Sequence, residues 1–445
     1  MTKLKINRIE VKAKDGEYIL DVAKRIGVDI PHLCHNERLE RIGACRLCVV
    51  EVKGSKKLQA SCCTPVREGM EVLTHTPRVL DARRTNMELL LANHDLNCTS
   101  CRENLLCKVQ RYASEMMIDD TPFEQTDRCD PIDNSSVSIR RDNNKCILCE
   151  QCVRVCNDVQ TVYAIGMVNR GINTRINSNF NHTLAESSCI NCGQCVVACP
   201  TGALTEKTDI PEVIDALNSG KYLIAQTAPS IRATLGELFG MPVGTSVTGK
   251  LPTALRQIGF HRVFDTNIGA DITIVEEAHE FVKRVKGKKV LPMITTCCPA
   301  WIKFGEQFYY EELKDHMSTC RSPQAMLSSL IKTYYAKKIK KDPKDIVVVD
   351  IMPCTAKKYE TSRPEFKGET DFVLTTVELG KLLKELNIDF ANLPDSDYDT
   401  PLGISSGAAD IFGHTGGVME AALRTAADML TGKDLKKVDY KSIRS

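Results

Sequence analysis

The sequence predicts a multidomain chain, α+β in its amino-terminal part and α/β in its carboxy-terminal part, on three observations. The chain has 445 residues, more than one compact core accommodates. Of its 21 cysteines, seventeen fall before residue 200, most of them in short, regularly spaced runs. From residue 210 onward cysteine is sparse, and short apolar runs (KYLIAQTAP, KKVLPMITT, DIVVVDIMP) alternate with helical stretches such as DITIVEEAHEFVKRVKG. That alternation predicts a mostly parallel sheet with functional residues at strand ends.

Composition narrows the class. Hydrophobic residues make up 42% and charged residues 26%, as in ordinary globular proteins. A net charge of +2 gives no field that would select nucleic acid or an anionic membrane. The amino end, MTKLKINRIEVKAKDG, has neither an apolar signal core nor twin arginines, and no apolar run reaches spanning length. The expectation is a cytoplasmic chain without a membrane span. An odd number of cysteines in so long a chain argues for metal ligation rather than a disulfide scaffold.

Residues 1–78 are expected to form a small β-rich domain. KINRIEVKAKDGEYILDVAKRIG predicts two alternating strands around a hairpin turn at Asp15-Gly16, then a short helix from Ile19 to Ile26. Cys34, Cys45, Cys48 and Cys62 follow, with the strand VVEVKG after Cys48. A thiolate loop around a small sheet resembles a plant-type [2Fe–2S] ferredoxin of β-grasp fold, with a longer spacing between the first two cysteines. Cys63 is the alternative fourth ligand, and zinc the alternative metal.

Residues 79–118 are helical and contain His94, Cys98, Cys101 and Cys107 in the pattern H-x3-C-x2-C-x5-C. One imidazole and three thiolates can hold a [4Fe–4S] cluster, at a higher potential than four thiolates. Alone, His94 would read as a structural histidine; four residues before a CxxC it reads as a ligand. Residues 119–138 are polar and turn-rich, a linker in which Cys129 is a bystander.

Residues 139–209 hold an internal repeat of C-x2-C-x2-C-x3-C: Cys146, Cys149, Cys152 and Cys156, then Cys189, Cys192, Cys195 and Cys199. In bacterial ferredoxin pairs the fourth cysteine of each run ligates the other cluster. Cys146, Cys149, Cys152 and Cys199 would then hold one cube, and Cys189, Cys192, Cys195 and Cys156 the other. Pro200 follows Cys199 as the pattern requires, but Asn157 follows Cys156 where the pattern has proline.

Residues 210–445 carry no G-x-G-x-x-G and no Walker A loop, so the chain is not expected to bind NAD or ATP itself. Three motifs stand out: TTCCPAW from Thr295, MPCTAKK from Met352 and FGHTGGVME from Phe412. A single cysteine there would read as a small buried hydrophobe. Several at strand ends, behind fifteen cysteines and one histidine in ligand patterns, point to a further metal site.

With these motifs the chain resembles an [FeFe]-hydrogenase of the multi-cluster bacterial type over essentially all its residues. The large iron–sulfur subunit of respiratory complex I shares the first two modules but not TTCCPAW or MPCTAKK. The resemblance implies a subunit that interconverts H₂ with protons and electrons. One [2Fe–2S] and three [4Fe–4S] clusters would form a relay to a partner, either a flavin NAD(P)H module or a formate dehydrogenase with a ferredoxin-like subunit. It favours Cys62 over Cys63, in the frame ASCxTPV. It implies a two-lobed α/β domain over 210–445 with an H-cluster, a [4Fe–4S] cube joined to a diiron unit that carries CO, cyanide and a bridging azadithiolate. Cys298 and Cys354 match two cube ligands, and Cys297 matches the thiol that exchanges protons with the bridging amine. Lys357 matches a donor to one cyanide, and Ala228, Pro229 and Ser230 match the contact to the other. Met352 packs near the diiron unit, and Gln324 and Phe412 line its cavity.

At ~100° per residue, Glu277, Glu280 and Arg284 fall within roughly 60° of one another on a helix. Ile274, Ala278, Phe281 and Val285 form the adjoining apolar stripe. Periodicity alone makes Glu280–Arg284 a surface pair; the resemblance makes Cys297, Glu277, Ser318, Glu280 and Arg284 a proton relay. The family's last two cube ligands lie in a motif of the type MACPGGCxxGGGQP, which these residues do not contain. The expectation is that the 445-residue chain, made as such, holds the relay clusters but no active H-cluster. Thr296 stands where serine is usual, Ala300 where glycine is, and His414 where an alanine-like residue is. The alternative functions are a non-catalytic electron-transfer subunit and an H₂ sensor.

Overall fold

The computed structural model describes residues 1–125, 128–412 and 416–433; position 414 lies outside them. The chain divides into two units, 1–189 with 193–206, and 190–192 with 207 onward.

The first unit opens on an antiparallel hairpin of β1 (Thr2–Ile6) and β2 (Ile9–Ala13). Its turn is Asn7-Arg8, with φ of 50° and 71°, not the expected Asp15-Gly16. Two left-handed residues make the turn whose twist matches the strands. Asn7 is held there because its amide exchanges hydrogen bonds with Thr74 at 2.7 and 2.9 Å. Gly16, at φ 82°, instead swings the chain out of β2 into the helix Ile19–Arg25. β3 (Val49–Val52) and β4 (Gln59–Ala60) pair antiparallel, and β5 (Glu71–Leu73) joins β1 to β3, giving the order β2-β1-β5-β3-β4. Ile6, Val22, Val50 and Val72 pack in its core with Cys48 and Cys62.

Thr76 caps the helix Pro77–Leu91, whose first residue is proline. Met87 and Leu91 pack with Val109 and Tyr112 of the helix Lys108–Glu115 and with Leu33 and Leu47. Beyond it, β6 (Ile139–Arg141) starts a small fold with the hairpin β7 (Gly166–Val168) and β8 (Arg175–Asn177); β9 (Leu204–Glu206) returns antiparallel to β6. Asp133 bridges Arg141 through the backbone and pairs with its guanidinium at 2.9 Å, so the end of the polar stretch before β6 packs onto this fold.

The second unit is built on a parallel sheet of β10 (Tyr222–Thr227), β11 (Arg262–Asp265), β12 (Ile346–Ile351) and β13 (Phe372–Leu374), in the order β11-β10-β12-β13. Strands buried on both faces read as apolar runs, which is why β10 and β12 are evident from sequence. β11 and β13 are too short to stand out. From β10 the chain goes first to β11 and then back across to β12. That reversal opens a crevice at the carboxyl ends of β10 and β12, the usual ligand position in such sheets.

KKVLPMITT is not a strand. Pro292 has no N–H for a ladder, Val290 and Leu291 are exposed, and only Ile294 makes a bridge, to Met317. Among the described residues the two-lobed expectation is therefore met by one sheet and a helical layer. The helix Asn267–Lys286 is the centre of that layer, packed by Pro323–Leu330, Gly407–Ile411 and Gly417–Thr431. Gly269 permits the first contact, since a side chain there would run into the Pro323 carbonyl. The expected apolar stripe does not reach Val285, which is exposed; the buried side carries Thr273, Ile274, Glu277, Ala278 and Arg284. The physical reason is that Arg284 turns inward to take the Asp315 and Met317 carbonyls, at 2.8 and 2.7 Å. No helix in the described residues is long and apolar enough to cross a membrane.

Candidate metal centres and proton path

In the loop after the helix Ile19–Arg25, Leu33 N donates to Cys45 Sγ at 3.4 Å and Cys45 N to Cys34 Sγ at 3.5 Å. Cys48 Sγ and Cys62 Sγ stand 3.3 Å apart and both are buried. Cys63 is half-buried, and a side chain at Gly43, where φ is 62°, would press on its sulfur at 3.1 Å. The Cys45 and Cys62 thiols, and the N–H groups of Cys45 and Ala44, hold the Cys34 thiol far below its ordinary range. The loop thus favours a thiolate.

His94, Cys98, Cys101 and Cys107 line one cavity, floored by Leu91 and Val109. Burial lowers the imidazole to about 4, so the ring is neutral, and its buried Nδ1 has no hydrogen-bond partner. An orphaned ring nitrogen facing three thiols fits a metal cluster. Gly202 makes room for it, because a Cβ there would stand 2.7 Å from Cys101 Sγ.

The repeat is visible in the backbone. Leu148 and Glu150, flanking Cys149, have φ of 53° and 57°; Asn191 and Gly193, flanking Cys192, have 60° and 74°. Cys146, Cys149, Cys152 and Cys199 line a common cavity with Ile176 and Leu204, which brings the last cysteine of the second run to the first three of the first. Burial pushes Cys146 up to about 11 and Cys149 up to about 12. Thiolates there need a cationic partner, which iron supplies. Cys156 Sγ accepts from Ala164 N at 3.4 Å, and Cys156, Cys189 and Cys195 pack on the same core. Cys192 belongs with Ile190 and Asn191 to the second unit, where the Asn191 carbonyl accepts from Thr355 Oγ1 at 2.8 Å.

Two seams join these sites within the first unit. Arg154 Nη2 donates to the Cys34 carbonyl at 2.8 Å and to the Cys149 carbonyl at 3.2 Å, and Gln151 Nε2 donates to Leu33 O at 2.5 Å. On the other side, Asp95 N donates to Asn144 O at 2.9 Å, and Cys107 Sγ lies 3.9 Å from Pro200 O. The Cys146 set is therefore flanked by both outer sites. Arg154→Met strips donors from buried carbonyls and is expected to cost roughly 3 kcal/mol. A lowered denaturation midpoint with all four cysteine sets loaded would show it; an unchanged midpoint would remove the arginine from this role.

In the second unit the two motifs meet at helix starts. Cys298 caps the helix Pro299–Phe308, and Cys354 directly precedes Thr355, the cap of Ala356–Ser362. Lys357 Nζ donates to the Cys297 carbonyl at 3.1 Å and to Glu360 Oε2 at 2.8 Å. An ammonium has three protons, so one remains for an anionic ligand. Burial raises the Cys354 thiol, and the nearby Cys298 sulfur adds to this. Burial also raises Cys297, opposed by Lys357 and reinforced by Glu277. Ala228 N donates to Ile351 O at 3.0 Å, which sets Ala228, Pro229 and Ser230 beside buried Met352. Gln324 is buried and its Oε1 has no partner. Phe412 ends the helix Gly407–Ile411, half-buried. Thiols and an ammonium with a proton to spare fit an iron group with anionic ligands.

The predicted proton-path residues lie along the helix Asn267–Lys286 and the loop after residue 313. Glu277 is 1% exposed, and its Oε2 has no hydrogen-bond partner. Burial pushes its carboxyl up to about 7 against the stabilising Ser318 hydroxyl. Ser318 Oγ donates to Glu280 Oε2 at 3.3 Å. Glu280 pairs with Arg284 at 2.6 Å and also accepts from Thr319 N and Thr319 Oγ1, each at 2.9 Å. Burial disfavours its charge, yet Thr319 and Arg284 hold it below the ordinary range. The Glu280–Arg284 pair is thus partly buried rather than a surface pair. Sequence reasoning missed Thr319; Thr296, noted only as standing where serine is usual, donates its hydroxyl to the Cys320 carbonyl at 2.6 Å. It also missed Lys358, which turns away from Cys297 into the core. Threonines in a loop and the second lysine of a pair carry no signal of their own.

Comparison with known proteins places these sites in context. Residues 221–445 match the C-terminal domain of the iron only hydrogenase large subunit, residues 1–77 a 2Fe-2S iron-sulfur cluster binding domain, residues 83–122 the NADH-ubiquinone oxidoreductase-G iron-sulfur binding region, and residues 145–203 a 4Fe-4S dicluster domain. The NADP-reducing hydrogenase subunit HndD of Solidesulfovibrio fructosivorans is 47% identical over 461 residues, covering 100% of this chain and 78% of its own length. Iron hydrogenase 1 of Clostridium pasteurianum is 40% identical over 457 residues, with the same coverage of 100% and 78%. An apo [FeFe]-hydrogenase HydA1 from Chlamydomonas reinhardtii is 40% identical at a TM-score of 0.48, over 54% of this chain and 62% of that one.

Proposed function

The chain belongs to the iron-only hydrogenase large-subunit family, and from that premise we propose that it interconverts H₂ with protons and electrons at a site between the carboxyl ends of β10 and β12. When bound, the H-cluster supplies the place where two electrons and two protons combine. Cys298 and Cys354 would be two ligands of its cube, Lys357 would donate to an anionic ligand, and Ala228, Pro229, Ser230, Met352, Gln324 and Phe412 would line its cavity. The observation that carries the reading is the buried Glu277 carboxyl, in the field of Cys297 on one side and under the influence of the Ser318 hydroxyl on the other.

The chain's own groups then move the proton. The Cys297 thiol holds one at the cavity wall. A carboxyl near 7 takes and returns a proton with little bias at neutral pH. Ser318 passes it between the two glutamates, and Arg284 keeps Glu280 ionised and fixed. Cys34, Cys45, Cys48 and Cys62 would hold one [2Fe–2S] cluster, His94, Cys98, Cys101 and Cys107 one further cluster, and the repeat two cubes, which would supply an electron relay. The cube on Cys146, Cys149, Cys152 and Cys199 is the junction, supported by the two seams that flank it. The partner is an oxidoreductase module that handles NADP(H), in line with the name of the relative HndD.

Matured protein whose chain also carries the family's last two cube ligands should show infrared bands of CO and cyanide and evolve H₂ from a reduced dye. Cys297→Ser should keep the bands and the relay clusters' spectra but lose at least about 10²-fold in turnover. Missing bands would refute the hydrogenase reading, and undiminished turnover would remove Cys297 from the path.

A further inference from the structure

Below the crevice lies a closed set of buried polar side chains that the proton path does not use. Asp350 is 0% exposed in β12 and stands opposite Gln226 of β10 in the sheet register. Gln226 Nε2 donates to Asp350 Oδ1 and to Ser328 Oγ, both at 2.7 Å, and lies 3.2 Å from the Gln324 carbonyl. Thr370 Oγ1 donates to Asp350 Oδ2 at 2.9 Å and shares a 2.7 Å hydrogen bond with Ser328 Oγ. Thr266 Oγ1 closes the set on Gln226 Oε1 at 3.1 Å.

The placement of these groups gives them a role. Gln226 is two residues before Ala228, and Asp350 two before Met352. Ser328 is one helical turn after Gln324, on the same side of the helix Pro323–Leu330. Each segment that brings a cavity residue to the crevice is thus tied, one step back, to a single carboxyl. An acid at the centre of a parallel sheet costs free energy that an apolar residue would not. What it adds is register, since directional hydrogen bonds fix relative positions that greasy contacts leave loose.

We propose that Asp350 is a positioning residue whose carboxyl, with Gln226, Ser328 and Thr370, sets the spacing of the three segments that line the diiron cavity. The inference rests on the hydrogenase reading for what that cavity holds, and on the hydrogen bonds alone for the knot itself. Burial pushes the carboxyl up to about 8 against the Thr370 and Gln226 hydrogen bonds; Glu360 adds to the rise and Lys357 opposes it, both from the helix Ala356–Ser362. β10 and the helix Pro323–Leu330 present the neutral Gln226 and Ser328 to it, and Asp371, beside Thr370, is paired with Lys332 at 2.8 Å. The native form at neutral pH is therefore the neutral acid. In that form the 2.9 Å contact is reversed: Asp350 Oδ2–H donates to Thr370 Oγ1, Thr370 donates to Ser328 Oγ, and Gln226 still donates to Oδ1. The folded chain keeps a proton that the unfolded chain releases near pH 4. This group's stabilisation is accordingly full below about 4 and is lost as pH rises through about 8.

Hydrogen exchange on the full chain tests the knot without reference to turnover. Asp350→Leu should raise exchange roughly tenfold in residues 224–230, 324–330 and 348–354 together, leaving the β1–β2 hairpin unchanged. Asp350→Asn reproduces the neutral acid's donors and acceptors. It should exchange within about twofold of the parent and show a smaller fall in melting temperature between pH 5 and 8 than the parent, keeping only the part due to Glu277. If Asp350→Leu does not fold, Thr370→Val, which deletes one hydroxyl, should loosen the same three segments. Loosening confined to 348–354, or an Asp350→Asn variant that loosens all three segments or keeps the parent's pH trend, would overturn the proposal. Absence of CO and cyanide bands from matured parent protein would overturn the hydrogenase reading alone.

Discussion

Glu277→Gln is expected to lower turnover 10²- to 10⁴-fold while the relay clusters' spectra and the CO and cyanide bands stay as they were. Glutamine keeps the size but cannot take up a proton. Glu277 has no neighbour able to replace it, because its second oxygen faces no donor and Glu280 is engaged by Arg284 and Thr319. A second readout follows from the carboxyl's shift to about 7. The folded parent holds a proton that the unfolded chain gives up near 4.5, so this stabilisation is complete below about 4.5 and is lost as pH rises through about 7. The glutamine variant should lack that decline. Dye-linked H₂ evolution and melting curves across pH check both, and undiminished turnover would take Glu277 out of the path.

Lys358→Met is expected to cost about 3–5 kcal/mol of stability, the largest structural effect of any single change considered. Lys358 is 4% exposed; its ammonium lies 2.9 Å from Glu378 Oε1 and 3.3 Å from Asp209 Oδ2. Glu378 closes a capping box with Thr375 at the start of the helix Thr376–Glu385 and accepts from Asp209 N at 3.1 Å. Asp209 in turn accepts from Val373 N at 3.2 Å. One ammonium therefore anchors the helix that carries Lys357 to β13 and to the chain entering the second unit. Without it a buried and a half-buried carboxylate face each other with backbone N–H donors but no cation. Burial already raises Asp209, and only Lys358 and hydrogen bonds oppose that shift. The variant's carboxylates should take up protons, so its deficit should shrink as pH falls from 8 to 5. Denaturation midpoints at the two pH values test this; a deficit equal at both would contradict it.

How much was legible depended on the range of the interaction. The cysteine motifs could be read because most of their members are neighbours in the chain, and spacing along a loop is itself geometry. β10 and β12 could be read because strands covered on both faces must be apolar. The hairpin was misplaced because Asp-Gly is the stronger local turn signal, whereas Asn7 is held by Thr74, 67 residues away. KKVLPMITT looked like a strand because hydropathy does not report whether a neighbour offers a ladder. Glu280–Arg284 looked like a surface pair because helical periodicity does not know that Arg284 finds the carbonyls of Asp315 and Met317.

By itself, then, the sequence determined the metal chemistry: thiolate and imidazole at fixed spacing, a repeat, and two cysteine motifs that mark the family. Only the tertiary structure decided which carboxyls are buried. Glu277, Glu280 and Asp350 are three acids of similar intrinsic strength. The chain's folding leaves one poised near neutrality, holds one ionised by a guanidinium, and locks one as a neutral acid within the sheet. Desolvation and pairing are properties of surroundings assembled from distant segments, so no local pattern could assign those roles.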